Sequence, residues 1–133
     1  MHEWALAEGV ISTAEKIADE QGLKEITEVV VGIGELQQID NKIFRYALEQ
    51  LRTPIIKNAK FTLQGIEGKL ACRICGEEWI FSNEGMEKDV SEAIHFVPEV
   101  AHVYIKCPNC NSTDFEVKEG RGVFLSSIRG LKA

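Results

Sequence analysis

The sequence predicts an α+β fold: two helices on a small mixed or antiparallel sheet, with a four-cysteine module inserted into it. Three observations predict this. Two stretches repeat apolar residues at helical period, two others are β-branched or alternate strictly, and all four cysteines fall in two CxxC pairs.

Residues 4–21 read as the first helix. Ala7, Val10, Ile11, Ala14, Ile17 and Ala18 fall on one face at helical period, and Gly22 stands where a helix commonly turns left-handed to end. Residues 24–34 read as a strand, from their β-branched run and closing Gly-Ile-Gly. Residues 41–52 read as the second helix. Asp40 is its N-cap, Phe44, Ala47, Leu48 and Leu51 its apolar stripe, and Pro54 its stop. Residues 59–66 alternate, with Ala59, Phe61 and Leu63 on one face and Lys60, Thr62 and Gln64 on the other, which is a half-buried strand. Residues 114–119 and 122–128 read as a final hairpin turning at Gly120-Arg121-Gly122, part of which is expected to return to the first domain.

Between these elements lies a segment of a different kind, residues 69–113. It begins and ends with a cysteine pair, and its middle, Asn83 to Glu99, is acidic and reads as a loop or short helix. The pairs are Cys72-Arg73-Ile74-Cys75-Gly76 and Cys107-Pro108-Asn109-Cys110-Asn111. Each is a turn that aims two thiolates at one point, followed by a residue that tolerates positive φ. Two such turns facing each other make a tetrahedron of sulfur. Zinc accepts that set and keeps no open position, so Cys72, Cys75, Cys107 and Cys110 are the ligands of a structural, zinc-ribbon-like site. There the metal replaces a core that the module is too small to build. Rubredoxin-like iron takes the same ligands. A thiol–disulfide enzyme fits less well, since it needs one CxxC on a βα unit.

Composition narrows the class. The chain has 133 residues, 44% hydrophobic and 27% charged, a normal globular balance. It has no apolar run of the roughly 18 residues that span a membrane. Met1-His2-Glu3-Trp4 lacks the basic and apolar regions of a secretory signal, so a cytoplasmic location is expected. The net charge is −6. Residues 1–66 carry 7 basic and 10 acidic side chains and residues 67–133 carry 8 and 11, so neither half offers a basic face to nucleic acid.

A closed four-thiolate site does no chemistry, so function must lie elsewhere. The remaining feature is His2. The bulky His2 protects the initiator methionine from removal, so the chain presents an amine, the His2 amide and imidazole, and then the Glu3 amide within one short reach. Ni(II) and Cu(II) favour such nitrogen sets. The helix dipole opposes a cation there, and deprotonated amides with the Glu3 carboxylate would supply the compensating charge. Read by itself, a histidine at position 2 is more often a frayed terminal residue.

The combination has a resemblance. Met1-His2-Glu3 opening an amphipathic helix, Val-Gly-Ile-Gly-Glu-Leu at 31–36, two CxxC pairs and a late Gly-Arg-Gly resemble the HypA family along the whole chain. These are nickel-incorporation accessory proteins of [NiFe]-hydrogenase maturation. The resemblance implies a nickel metallochaperone in which His2 is the essential nickel ligand, with the backbone at His2 and Glu3 helping. It implies zinc on the four cysteines. It implies the nickel GTPase HypB as partner and the hydrogenase large subunit as recipient, some members serving urease. Residues 1–68 with about 120–133 would form the nickel-binding α+β domain, and 69–119 the zinc-binding one.

The chain departs from the common pattern in its long insert: 31 residues, 76–106, separate the pairs, which is similar to archaeal members. The insert holds His95 and His102. His95 is a candidate extra nickel ligand. His102 alternates with Val103 and Ile105 and reads as the polar face of a strand leading into Cys107. A homodimer, formed through the insert, stays open. Trp4 reads as a core anchor and Trp79 as packing over the cysteine knob. No nucleophile–base pair can be read, and Gly32 and Gly34 lack the lysine of a phosphate loop, so no enzyme is expected. Two competing classes remain: a zinc-ribbon protein–protein adaptor without a second metal, and a rubredoxin-like electron carrier.

Overall fold

The structure is a computed structural model, and it describes residues 2–82, 90, 93–94, 97 and 101–133. Among them the elements run α1 (His2–Glu20), β1 (Leu23–Gly34), a 3-10 turn (Glu35–Gln37), α2 (Asn41–Gln50), a second 3-10 turn (Pro54–Ile56), β2 (Lys60–Ile66), β3 (Lys69–Cys72), β4 (Glu78–Ile80), α3 (Ala101–Tyr104), β5 (Phe115–Glu119) and β6 (Val123–Lys132). They form two compact units. The first holds residues 1–32, 39–64 and 123–133, the second residues 33–38 and 65–122.

In the first unit the expected seam of α1 turns inward. Ala7, Val10, Ile11, Ala14 and Ala18 are buried. The helix ends as glycine allows, with Gly22 at φ +68° and its N–H on the Asp19 carbonyl at 3.2 Å. Asp40 caps α2, its Oδ1 accepting from the N–H groups of Lys42 at 3.0 Å and Ile43 at 3.1 Å. Phe44, Ala47 and Leu48 of α2 are buried with Ile26, Val29 and Val31 of β1 and with Phe61 of β2. The strands stand in the order β2-β1-β6, and α1 packs against both α2 and β6. On the sheet, Phe124 of β6 lies over Gly32 of β1, where any larger side chain would strike the ring.

The second unit is built on an antiparallel sheet in the order β4-β3-β5. Leu70 stands opposite Trp79 on one side and Val117 on the other, and Cys72 opposite Phe115, with a bulge between Lys69 and Leu70. Its core is small: Leu36, Leu70, Phe81, Ile94 and Phe115, with Trp79, Val90, Ile105 and Val117 packed against it. Three glycine backbones meet at one edge. A Cβ on Gly34 would collide with the Gly120 carbonyl, and one on Gly120, whose φ is +96°, would collide with Gly68. The Gly34 N–H bonds to the Gly122 carbonyl at 2.8 Å and the Leu36 N–H to the Gly120 carbonyl at 3.0 Å. The Gly-Ile-Gly and Gly-Arg-Gly motifs are thus close-approach glycines.

Three expectations are corrected here. β5 and β6 do not form a hairpin: β5 pairs with β3 and β6 joins the other sheet beside β1. Positive φ at Gly120 and Gly122 sends the chain onward instead of folding it back. His102 is not on a strand but in the short helix α3, because its ring stacks on Phe115 with centroids 4.2 Å apart. Trp4 is not a core anchor. It is 40% exposed and meets Tyr46 edge-on at 6.0 Å.

Candidate metal centre

The four cysteines converge. Their Sγ atoms all lie within 4.8 Å of one another, with Cys72 and Cys110 3.5 Å apart and Cys75 and Cys107 3.6 Å apart. These are no disulfide distances. A tetrahedral cation with metal–sulfur bonds of about 2.3 Å sets its sulfurs roughly 3.8 Å apart. The spacing therefore fits one ion held by four thiolates.

The local sequence explains the convergence. Each pair forms a loop closed in the same way. Cys72 donates its N–H to the Glu77 carbonyl at 2.8 Å, and Cys107 donates to Ser112 at 2.8 Å. The N–H of Gly76 returns to the Cys72 carbonyl at 3.1 Å, and that of Asn111 to Cys107 at 2.9 Å. Both returning residues have positive φ, +80° at Gly76 and +65° at Asn111. Inside the loops, backbone N–H groups point at sulfur: Ile74 at Cys72 over 3.4 Å, Asn109 at Cys107 over 3.4 Å. Such donors stabilise thiolate charge. The first cysteine of each pair is buried and the second exposed. The loops are tied by Arg73, whose Nη1 meets Asp114 at 3.0 Å.

Four thiols this close cannot ionise alike. A hydrogen bond from the Asn109 side chain, with one from the Glu77 backbone, brings Cys75 down to about 6. At Cys110 the Ser112 backbone N–H favours the thiolate, but burial and the three neighbouring sulfurs outweigh it and push the thiol up to about 12. A bound cation removes this conflict by supplying positive charge to all four.

The N-terminal candidate is built differently. α1 begins at His2, two residues earlier than its apolar pattern indicates, and Glu3 stands in its first turn. The Glu3 side chain is 6% exposed, and its Oε2 accepts the Asp40 N–H at 3.3 Å. Burial raises its carboxyl, but hydrogen bonds from the terminal amine and then from the Glu3 and Asp40 backbone N–H groups, with the charge of that amine, prevail and hold it at about 2. Glu3 thus ties the first turn of α1 to the capped start of α2. The side chain of His2, and His95 entirely, lie outside the described residues.

A family description, "Hydrogenase/urease nickel incorporation, metallochaperone, hypA", matches residues 1–130. The chain belongs to the HypA family. It is 39% identical over 132 residues to "Hydrogenase maturation factor HypA" of Thermococcus sibiricus, covering 97% of this chain and 96% of the relative. The Pyrococcus horikoshii protein of the same description is also 39% identical, with 97% and 95% covered. Among solved structures, that described as the Ni metallochaperone HypA from Helicobacter pylori matches with a TM-score of 0.66 at 23% identity, over 98% of both chains. Another, "Solution structure of HypA protein", matches with a TM-score of 0.65 at 24% identity, over 100% of this chain and 98% of that one. At such identities the likeness establishes the fold. A HypA chain is a maturation factor and not an enzyme. No helix among the described residues is long and apolar enough to cross a membrane.

Cys72, Cys75, Cys107 and Cys110 are where the spacing of the pairs puts them, in one cluster. Sequence reasoning overlooked the second role of Asp40, as the anchor of Glu3, and the Asn109 side chain beside Cys75. The cap pattern at Asp40 was a signal for the first. Nothing local marks the second. His102 donates to or accepts from the metal cluster nowhere; its Nδ1 faces the Thr113 carbonyl at 3.1 Å.

Proposed function

We propose that this HypA chain carries Ni(II) on its first residues and holds a structural Zn(II) on Cys72, Cys75, Cys107 and Cys110. The observation that carries the nickel reading is the start of α1 at His2. The first N–H groups of a helix have no partner inside it. The amides of His2 and Glu3 are therefore ones that can give up a proton and bind metal without breaking a helical bond. With the terminal amine and the His2 imidazole they make the nitrogen set that Ni(II) favours.

Glu3 supports this site through its backbone. Its carboxylate accepts the Asp40 N–H, which steadies the first turn, and it places a negative charge beside the terminal amine and the positive helix end. His95 is proposed as an extra ligand brought from the insert, and His95→Ala is expected to alter the nickel spectrum. The zinc reading rests on the four-thiolate geometry and on a module with few buried side chains of its own.

In this reading the chain works in the cytoplasm, takes nickel with the GTPase HypB and passes it to the hydrogenase large subunit. Urease is the other recipient that the family description admits. The test is metal analysis of untagged protein dialysed against nickel, wild type beside His2→Ala. One zinc in both and nickel in the wild type alone is expected. Nickel retained equally by His2→Ala overturns the proposal, and an adaptor that holds zinc alone then explains the fold.

A further inference from the structure

The four sulfurs share one geometry but not one environment. Cys72 and Cys107 are buried, whereas Cys75 and Cys110 reach solvent. The short contacts cross between the loops, and each joins a buried sulfur to an exposed one: Cys72 to Cys110 at 3.5 Å, Cys75 to Cys107 at 3.6 Å. Zinc is inert to oxidation, but the thiolates that hold it are not.

With the ion bound all four sulfurs are thiolates, so access and hydrogen bonding are what separate them. A hydrogen bond draws charge from a thiolate and blunts it as a nucleophile. Among the described residues, the Asn109 side chain and the Glu77 backbone N–H both lie on Cys75, and the Ser112 backbone N–H alone on Cys110, its sulfur neighbours aside. Cys110 is therefore the exposed sulfur with the weaker cover. Of the buried two, Cys107 accepts the N–H groups of Asn109 at 3.4 Å and Cys110 at 3.5 Å, and Cys72 accepts that of Ile74 at 3.4 Å. Cys72 is the freer partner, and it already touches Cys110.

We propose that the cysteine module is an oxidant-sensitive switch, in which hydrogen peroxide oxidises Cys110 and Cys72 closes onto it in a disulfide that gives up the zinc. The proposal rests on the zinc reading and not on the nickel one. The Cys110 Sγ attacks one peroxide oxygen: an S–O bond forms, the O–O bond breaks, and the leaving hydroxide takes a proton from solvent. The Cys72 Sγ then attacks the Cys110 sulfur: the S–S bond forms, the S–O bond breaks, and the second hydroxide is protonated in the same way. Two thiolates have lost two electrons between them, and the peroxide has become two waters. The sulfurs must close from 3.5 Å to about 2.05 Å. Cys72 is fixed in β3 opposite Phe115, so the exposed Cys110 loop makes most of that movement. The two thiolates left cannot complete a four-coordinate site.

The test uses the reduced, zinc-loaded full chain, freed of reductant, with its zinc content measured first. One equivalent of hydrogen peroxide is added, and a chromogenic chelator reads the zinc released. Zinc release in step with the loss of two thiols is expected, and a thiol reductant should restore zinc binding. Trypsin parts Cys72 from Cys75 at Arg73, and fragmentation of the peptides parts Cys107 from Cys110. Mass mapping should then find Cys72–Cys110 as the main disulfide. Asn109→Ala keeps all four cysteines and uncovers Cys75, so it should raise the share of Cys75–Cys107 several-fold. Zinc and thiols that survive the peroxide overturn the proposal. So does a main disulfide within one CxxC pair, or a product ratio that Asn109→Ala leaves unchanged. A preparation that holds no zinc before peroxide is added overturns the zinc reading itself, and this proposal with it.

Discussion

Replacing Cys107 by serine removes one corner of the sulfur tetrahedron where it is most deeply set, since Cys107 is 2% exposed. Structural zinc in small modules contributes about 10–16 kcal/mol of apparent binding energy. A quarter of that is about 2.5–4 kcal/mol, which weakens zinc binding by roughly 10²–10³-fold. The effect must reach the fold of the second unit. Its buried core is Leu36, Leu70, Phe81, Ile94 and Phe115, and Cys72 pairs directly with Phe115 across β3 and β5. The first unit has its own core around Val29, Phe44 and Leu48. Hydrogen exchange should therefore show the β3 and β5 amides losing protection in Cys107→Ser, or in wild type treated with a strong chelator. The amides of α1 and β1 should keep theirs. If β3 and β5 stay as protected without the metal as with it, the ion does not hold this unit together and the reasoning fails.

Two further outcomes follow from single contacts. Gly120→Ala places a Cβ at φ +96° against the Gly68 backbone, and should cost about 3 kcal/mol or more, read as a lower urea midpoint. Glu3 gives a pH dependence with a definite sign. Its carboxyl falls from 4.5 to about 2 on folding, so it stabilises the fold fully above pH 4.5 and loses that contribution as pH drops toward 2. The stability difference between wild type and Glu3→Gln should be largest above pH 4.5 and vanish toward pH 2. Taking the difference at each pH cancels the parallel loss of zinc.

Local patterns in the chain carried local structure well. The seam of α1, the Asp40 cap, the strand at Lys60–Ile66 with Phe61 buried and the left-handed residue after each CxxC all appear as the residue types require. Each is decided by neighbours within a few positions. What the pattern did not carry depends on distant partners. Val123 to Ile128 has strand composition whichever strand it joins, so nothing local separates a hairpin with β5 from pairing beside β1. His102 reads as strand by alternation, and its partners, the Phe115 ring thirteen residues on and the Thr113 carbonyl, are invisible to that pattern. Gly34 reads as the end of a strand and Gly120 as a turn residue, and neither pattern foretells that their backbones meet, with Gly68 at the same edge. At the site, the cysteines were legible because metal geometry fixes their spacing. Glu3 was legible as an acidic residue beside His2, but not as the tether to Asp40.

The central claim is that the chain start itself binds nickel, and one comparison reaches it most directly. Nickel is titrated into protein with its native terminus and into protein whose terminal amine is acetylated, both retaining His2. Acetylation removes the amine as a ligand while leaving every side chain in place. The account predicts that affinity falls by roughly a hundredfold or more, with zinc content unchanged. Equal nickel affinity in the two proteins would contradict it.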